Sequence, residues 1–112
     1  FGDLRSLSDR AVAILRRFGI RREDRVLIML PRIPEWWILI IALIKLGAIY
    51  CPAPTILTPK DIHYRLNAGH FRMVIPDVEN APKVQQVKDE CPSVAACMAV
   101  DGEVPGWISY PR

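Results

Sequence analysis

The spacing of hydrophobic positions changes along the chain, and each change marks an element. From Asp3 to Phe18, the apolar positions Leu4, Leu7, Ala11, Ile14, Leu15 and Phe18 recur at helical intervals among Arg5, Asp9, Arg10, Arg16 and Arg17. That pattern predicts an amphipathic helix, which Gly19 stops. Asp24-Arg25 leads into Val26-Leu27-Ile28-Met29-Leu30, an unbroken apolar run closed by Pro31. Its length and bounds predict a buried strand. Pro34 and Glu35 open a second helix, with proline at an early position and an acid in the first turn. Trp36 to Ile44 is nine apolar residues in succession, ended by Lys45. Such a run is too short to cross a bilayer, and Lys45, Gly47 and the Pro52-Ala53-Pro54 turn stop its extension. A helix apolar on every side predicts burial on several sides of a protein.

Ala48-Ile49-Tyr50-Cys51 predicts a second strand. Thr58-Pro59-Lys60-Asp61 is a helix opening: threonine as cap, proline at the first helical position, an acid at the third. This helix runs through Ile62 and Leu66 and stops near Asn67-Ala68-Gly69. Arg72-Met73-Val74-Ile75 predicts a third strand, closed by Pro76-Asp77. Val84, Val87 and Cys91 share one face of a further helix that Pro92 ends, and Ala96 to Val100 predicts a fourth strand, closed by Asp101-Gly102. Solidly apolar strands alternating with helices predict an α/β fold: three layers, a mainly parallel sheet of about four strands, helices on both faces. Right-handed crossovers follow. No repeat, low-complexity tract or linker divides the chain. Phe1 leads straight into a helical pattern and the chain stops at Pro111-Arg112, so residues 1–112 read as a fragment of a larger domain.

Charge changes this picture little. Fifteen Lys and Arg against twelve Asp and Glu leave +3. Arg16-Arg17, Arg21-Arg22 and Arg25 cluster, as a phosphate or nucleic-acid patch would. Aromatic stacking platforms beyond Phe18 are missing, and cations suit the last turn of a helix, so a solvated face is the expectation and no nucleic-acid partner is assigned. Cys51, Cys91 and Cys97 cannot all pair within one chain and form no C-x-x-C. Free, reduced thiols and a cytoplasmic location are expected.

The chemical inventory is nearly empty. The glycines at 2, 19, 47, 69, 102 and 106 form neither G-x-G-x-x-G nor a P-loop, and G-x-S-x-G is absent. His63, His70, Cys91 and Cys97 lack the close ligand pairs of a zinc site. Asp77 and Asp101 suit turns. Catalytic, cofactor-binding and metal residues are therefore all assigned as none.

The order of motifs does resemble a known family. Phe1-Gly2-Asp3-Leu4 with Leu7-Ser8-Asp9-Arg10-Ala11, then Gly19-Ile20-Arg21-Arg22-Glu23-Asp24-Arg25-Val26, is similar to the opening of the AMP-forming acyl-CoA synthetases of the acyl-adenylate-forming superfamily. Leu30-Pro31-Arg32-Ile33-Pro34-Glu35-Trp36-Trp37 resembles the medium-chain branch of that family most strongly. Leu46-Gly47-Ala48, the Pro52 turn, Thr58 to Ile62, Tyr64 to Ala68 and Gly106-Trp107-Ile108 continue the likeness over essentially the whole chain.

The resemblance implies a parent enzyme in which a carboxylate attacks the α-phosphate of Mg-ATP, giving an acyl-adenylate and pyrophosphate. The thiol of coenzyme A then displaces AMP. ATP, Mg²⁺, coenzyme A and a carboxylic acid are thus expected for the parent. The family's phosphate loop, aromatic-Gly-x-Thr-Glu segment, ribose-binding aspartate and C-terminal lysine have no counterpart here, so no site residue is carried over. The fragment alone is expected to be inactive, to bind none of these cofactors, and to depend on the rest of the parent chain or self-associate. The alternative is a self-contained flavodoxin-like interaction module without catalysis.

Overall fold

A strand with no polar residue must be covered on both faces. The computed structural model describes residues 2–110, with side chains from residue 5 onward, and shows how that cover is built. The expectations placed on the Leu4 side chain, on Phe1 and on Pro111-Arg112 lie outside what is described. The elements run α1 (Gly2–Arg17), β1 (Arg25–Met29), α2 (Pro34–Leu46), β2 (Ile49–Pro52), α3 (Pro59–Gly69), β3 (Met73–Pro76), α4 (Ala81–Gln85), a 3-10 turn (Lys88–Glu90), β4 (Ala96–Ala99) and β5 (Ile108–Ser109). The sheet has five strands in the order β2-β1-β3-β4-β5, all paired in parallel.

Period-two alternation divides each strand between two cores. Val26, Ile28, Met73, Ile75, Met98 and Val100 face α1 and α2, where Ala11, Leu15, Leu39 and Leu43 meet them. Leu27, Met29, Val74 and Cys97 face the opposite way, onto Ile62, Leu66, Val84 and Val87. The α/β three-layer expectation is met. The count of four strands is corrected to five: Ile108–Ser109 adds an edge strand beside β4. Two paired residues carry too little periodicity to be read in sequence.

The predicted second strand is present as β2, and its Ile49 and Tyr50 are exposed because it is an edge strand flanked by β1 alone. One further expectation is corrected. Val84, Val87 and Cys91 do share one buried face, but α4 is only five residues long and the chain continues through a 3-10 turn. The run Trp36 to Ile44 is buried at Ile38, Leu39, Ile40, Ala42 and Leu43, while Trp37 and Ile44 face outward. Among the described residues no helix is long and apolar enough to cross a membrane.

Local chemistry sets the helix ends. Gly47 closes α2 at φ 81°, a left-handed conformation, and a Cβ there would meet Arg22 Cγ at 3.0 Å. Thr58 caps α3 in a reciprocal box: its hydroxyl accepts the Asp61 backbone N–H at 3.2 Å, and the Asp61 carboxylate accepts the Thr58 backbone N–H at 3.2 Å. The Thr58 hydroxyl also donates to that carboxylate at 2.9 Å. The Thr58 backbone N–H, followed by its hydroxyl, holds the Asp61 carboxyl below its usual pKa. A depressed folded-state pKa contributes stability that is present above the unfolded value and lost as pH falls through the folded one. Loss of the cap in Thr58→Ala is expected to cost roughly 0.5–2 kcal/mol at neutral pH, and the deficit is expected to shrink in acid as Asp61 protonates. Urea unfolding across an acid-to-neutral pH series measures both. A deficit that grows as pH falls would contradict this account of the box.

Candidate functional site

The topology marks one place on this chain where ligands of open α/β sheets gather. β1 connects through α2 to β2 on one side, whereas β3 connects through α4 to β4 on the other. The connections diverge between β1 and β3, and in open sheets of this kind the ligand crevice lies beyond the carboxyl ends of such a pair. Leu30 to Ile33 follow β1 there, and Asp77 to Asn80 follow β3.

Asp77 is buried, and its carboxylate accepts a hydrogen bond from Asn80 Nδ2 at 2.6 Å. Its backbone carbonyl accepts the N–H groups of Asn80 and Ala81 at 3.1 and 3.0 Å. Val78 N–H donates to Val100 O, and Val100 N–H donates to Pro76 O. These bonds tie the turn into α4 to the end of β4, so Asp77 serves as a turn residue. Asp101 takes the left-handed conformation at φ 73°.

Arg32 is exposed at the mouth of the crevice, beside a groove lined by Leu7, Ile33, Pro34, Trp37 and Ile38. Glu35 begins α2 with Oε2 buried and no hydrogen-bond partner among the described residues. The buried Tyr110 phenol is pushed up in pKa by burial and then by the Glu35 charge, while Arg10 draws it back. The electrostatic influence of Glu35 and Arg10 on Tyr110 joins residues that linear spacing does not connect. In the sequence Glu35 marks only a helix start.

The four residues weighed as metal ligands are not brought together. His63 Nε2 lies 3.4 Å from Asn67 Nδ2 and 3.8 Å from Glu90 Oε1. His70 ends α3 at φ 51°, exposed. Cys91 Sγ donates to Val87 O at 3.3 Å. Burial pushes the Cys97 thiol up to about 11, and burial also raises Cys91, helped by the Glu90 charge. Thiols so placed are poor nucleophiles and poor ligands at neutral pH. All three cysteines are free. Among the described residues no cluster of three or more His, Cys, Asp or Glu could hold a metal ion.

The described residues at the crevice therefore supply a sheet end and a turn, but not a cradle for phosphates. Comparison with known proteins explains that pattern. The family described as "AMP-binding enzyme" matches residues 1–109. The human acyl-coenzyme A synthetase ACSM4, mitochondrial, is 39% identical over 112 residues, covering 98% of this chain and 19% of the relative. The crystal structure of the Brucella canis acyl-CoA synthetase superposes with a TM-score of 0.85 at 30% identity, covering 96% of this chain and 20% of that one. The anthranilate CoA ligase AuaEII in complex with anthranoyl-AMP shares the fold, with a TM-score of 0.89 at 22% identity, over 95% of this chain and 21% of that chain.

The chain spans about a fifth of the length of the curated relatives it matches. The expected cytoplasmic location is corrected: the human and rat ACSM4 and human ACSM5 relatives are mitochondrial by name. Free cysteines do not separate these compartments, since reduced thiols suit both. With a family match across nearly its whole length and a fold that superposes on a solved acyl-CoA synthetase, this chain belongs to the AMP-binding enzyme family.

Proposed function

We propose that this chain forms the opening scaffold of an acyl-CoA synthetase that joins a carboxylic acid to coenzyme A through an acyl-adenylate, at the expense of ATP. The observation that carries this reading is the match of residues 1–109 to the AMP-binding enzyme family, set beside relatives that are themselves acyl-CoA synthetases. In the parent, Mg-ATP and coenzyme A supply the adenylyl group and the acceptor thiol. The contribution of the present residues is positional. β1 and β3 end at the crevice, and the Asp77–Asn80 turn and the Pro31 to Pro34 corner hold its walls. The names of the relatives support a mitochondrial address for the parent.

Chemistry itself is assigned to the remaining four-fifths of such a protein. Phosphoryl-type transition states are stabilised by positioned cations and backbone donors, and among the described residues Leu30 to Ile33 and Asp77 to Asn80 the one cation is the exposed Arg32. Incubated with ATP, Mg²⁺ and a panel of acids from acetate to decanoate and benzoate, residues 1–112 alone are expected to release no pyrophosphate above a boiled control. The full-length protein is expected to release it with at least one acid of the panel and to form the thioester when coenzyme A is added. Turnover by residues 1–112 would refute the scaffold role, and a full-length protein inert toward every acid would refute the synthetase reading.

A further inference from the structure

The end of the sheet opposite the crevice gathers charge that the synthetase reading leaves unused. Helices run antiparallel to the strands in this fold, so the last turns of α1, α2 and α3 all converge beside the first residues of the strands. Arg16 and Arg17 end α1, Arg21 and Arg22 occupy the loop that follows, and Arg25 opens β1. The pairing of Val26 with Met73 then sets Arg72 next to Arg25, with Arg72 N–H donating to Arg25 O at 2.8 Å. All six arginines are exposed. The acids next to them in the chain are Glu23 and Asp24, so these eight residues carry a larger positive excess than the +3 of the entire chain.

Part of that charge has structural work. Arg25 Nη1 donates to Gly69 O at the end of α3, and Arg72 Nε lies 3.9 Å from Asp24 Oδ2. Asp24 also accepts the Arg21 backbone N–H at 2.8 Å. Arg22 lays its stem against Gly47 and keeps its guanidinium outward. Arg16 and Arg17 suit the dipole of α1. Arg21 and Arg22 stand beyond the last turn of any helix and are not explained by capping.

Apolar side chains flank the cluster. Phe18 is 40% exposed with the Arg17 guanidinium 5.8 Å over its ring, and Ile49, which pairs with Arg25 at the start of β2, is 44% exposed. Guanidinium groups beside a protruding ring and an aliphatic side chain suit a surface whose negative head groups overlie hydrocarbon. A duplex offers phosphates but no apolar layer for Ile49 and Phe18. We infer that the amino-terminal end of this sheet, through Arg21, Arg22 and Phe18, is a peripheral docking surface for anionic phospholipid membranes. The surface lies away from the crevice, so the inference stands or falls independently of the acyl-CoA synthetase reading.

Co-sedimentation of the full-length protein with phosphatidylcholine vesicles, and with vesicles containing phosphatidylserine, tests it. Binding is expected only to the anionic vesicles and is lost at high salt. Arg21→Ser with Arg22→Ser weakens that binding roughly 30-fold, on the basis of the attraction of each basic residue to an anionic surface. Phe18→Ser weakens it further, and circular dichroism and thermal unfolding show all variants folded. Absence of binding by the unaltered protein, equal binding to neutral vesicles, or binding unchanged by the arginine pair overturns the inference. So does tighter, arginine-dependent binding to duplex DNA, which would assign the surface to nucleic acid.

Discussion

Replacing Leu39 with alanine is expected to lower the free energy of unfolding by about 2–5 kcal/mol. Leu39 is fully buried in α2, packed in the cluster that joins α1 to Val26, Ile28, Met73 and Ile75 of the central strands. The loss combines the transfer free energy of the missing methyl groups with the cavity that remains, since both neighbouring layers are held by the sheet and cannot close in. Against a typical domain stability of about 5–15 kcal/mol, this is a large fraction. Ile44, on the same helix, is 58% exposed, and Ile44→Ala is expected to stay within about 0.5 kcal/mol of the parent. Urea denaturation of the two variants side by side measures the contrast. Equal effects would mean that α2 does not face the sheet as described.

The second large effect is association. Trp37 is 54% exposed, Ile44 58% and Leu7 39%, and a groove runs between Leu7 and Trp37. Trp36 and Trp37 meet edge to face with ring centroids 4.7 Å apart, but Trp36 packs against the core, so the outward ring is that of Trp37. Each large apolar side chain left in water forgoes roughly 1.5–3 kcal/mol relative to full burial. Residues 1–112 produced alone are expected to lower that cost by self-association through this face of α2. Light scattering over a dilution series should show a mass that falls with concentration, and Trp37→Lys with Ile44→Lys should give a monomer throughout. Iodide quenching should reach the tryptophans of the variant monomer more readily than those of the associated chain. A native chain that stays monomeric at high concentration, with shielded tryptophans, would overturn this prediction.

The two replacements at Leu39 and Trp37 also separate what local pattern determined from what packing decided. Solid apolar runs at Val26 to Leu30, Met73 to Ile75 and Cys97 to Val100 require cover on both faces, and alternation with helices then leaves few arrangements besides a parallel three-layer sheet. The Thr58 cap and the Gly47 stop are likewise local, because they depend on residues within one helical turn and on a backbone conformation that glycine adopts freely. The order of motifs across the chain was sufficient to indicate the family.

Tertiary structure decided the rest. Which apolar residues of α2 face outward could not be read from a run with no polar side, because periodicity needs contrast to have a phase. The edge position of β2, which leaves Ile49 and Tyr50 exposed, follows from strand order and not from composition. β5 is recognised only because Met98 and Ala99 lie beside Ile108 and Ser109. Arg72 joins the arginines near residue 21 through the register of β1 with β3. Each of these groupings joins residues far apart in the chain, and such contacts are set by how the layers pack, which no local spacing records.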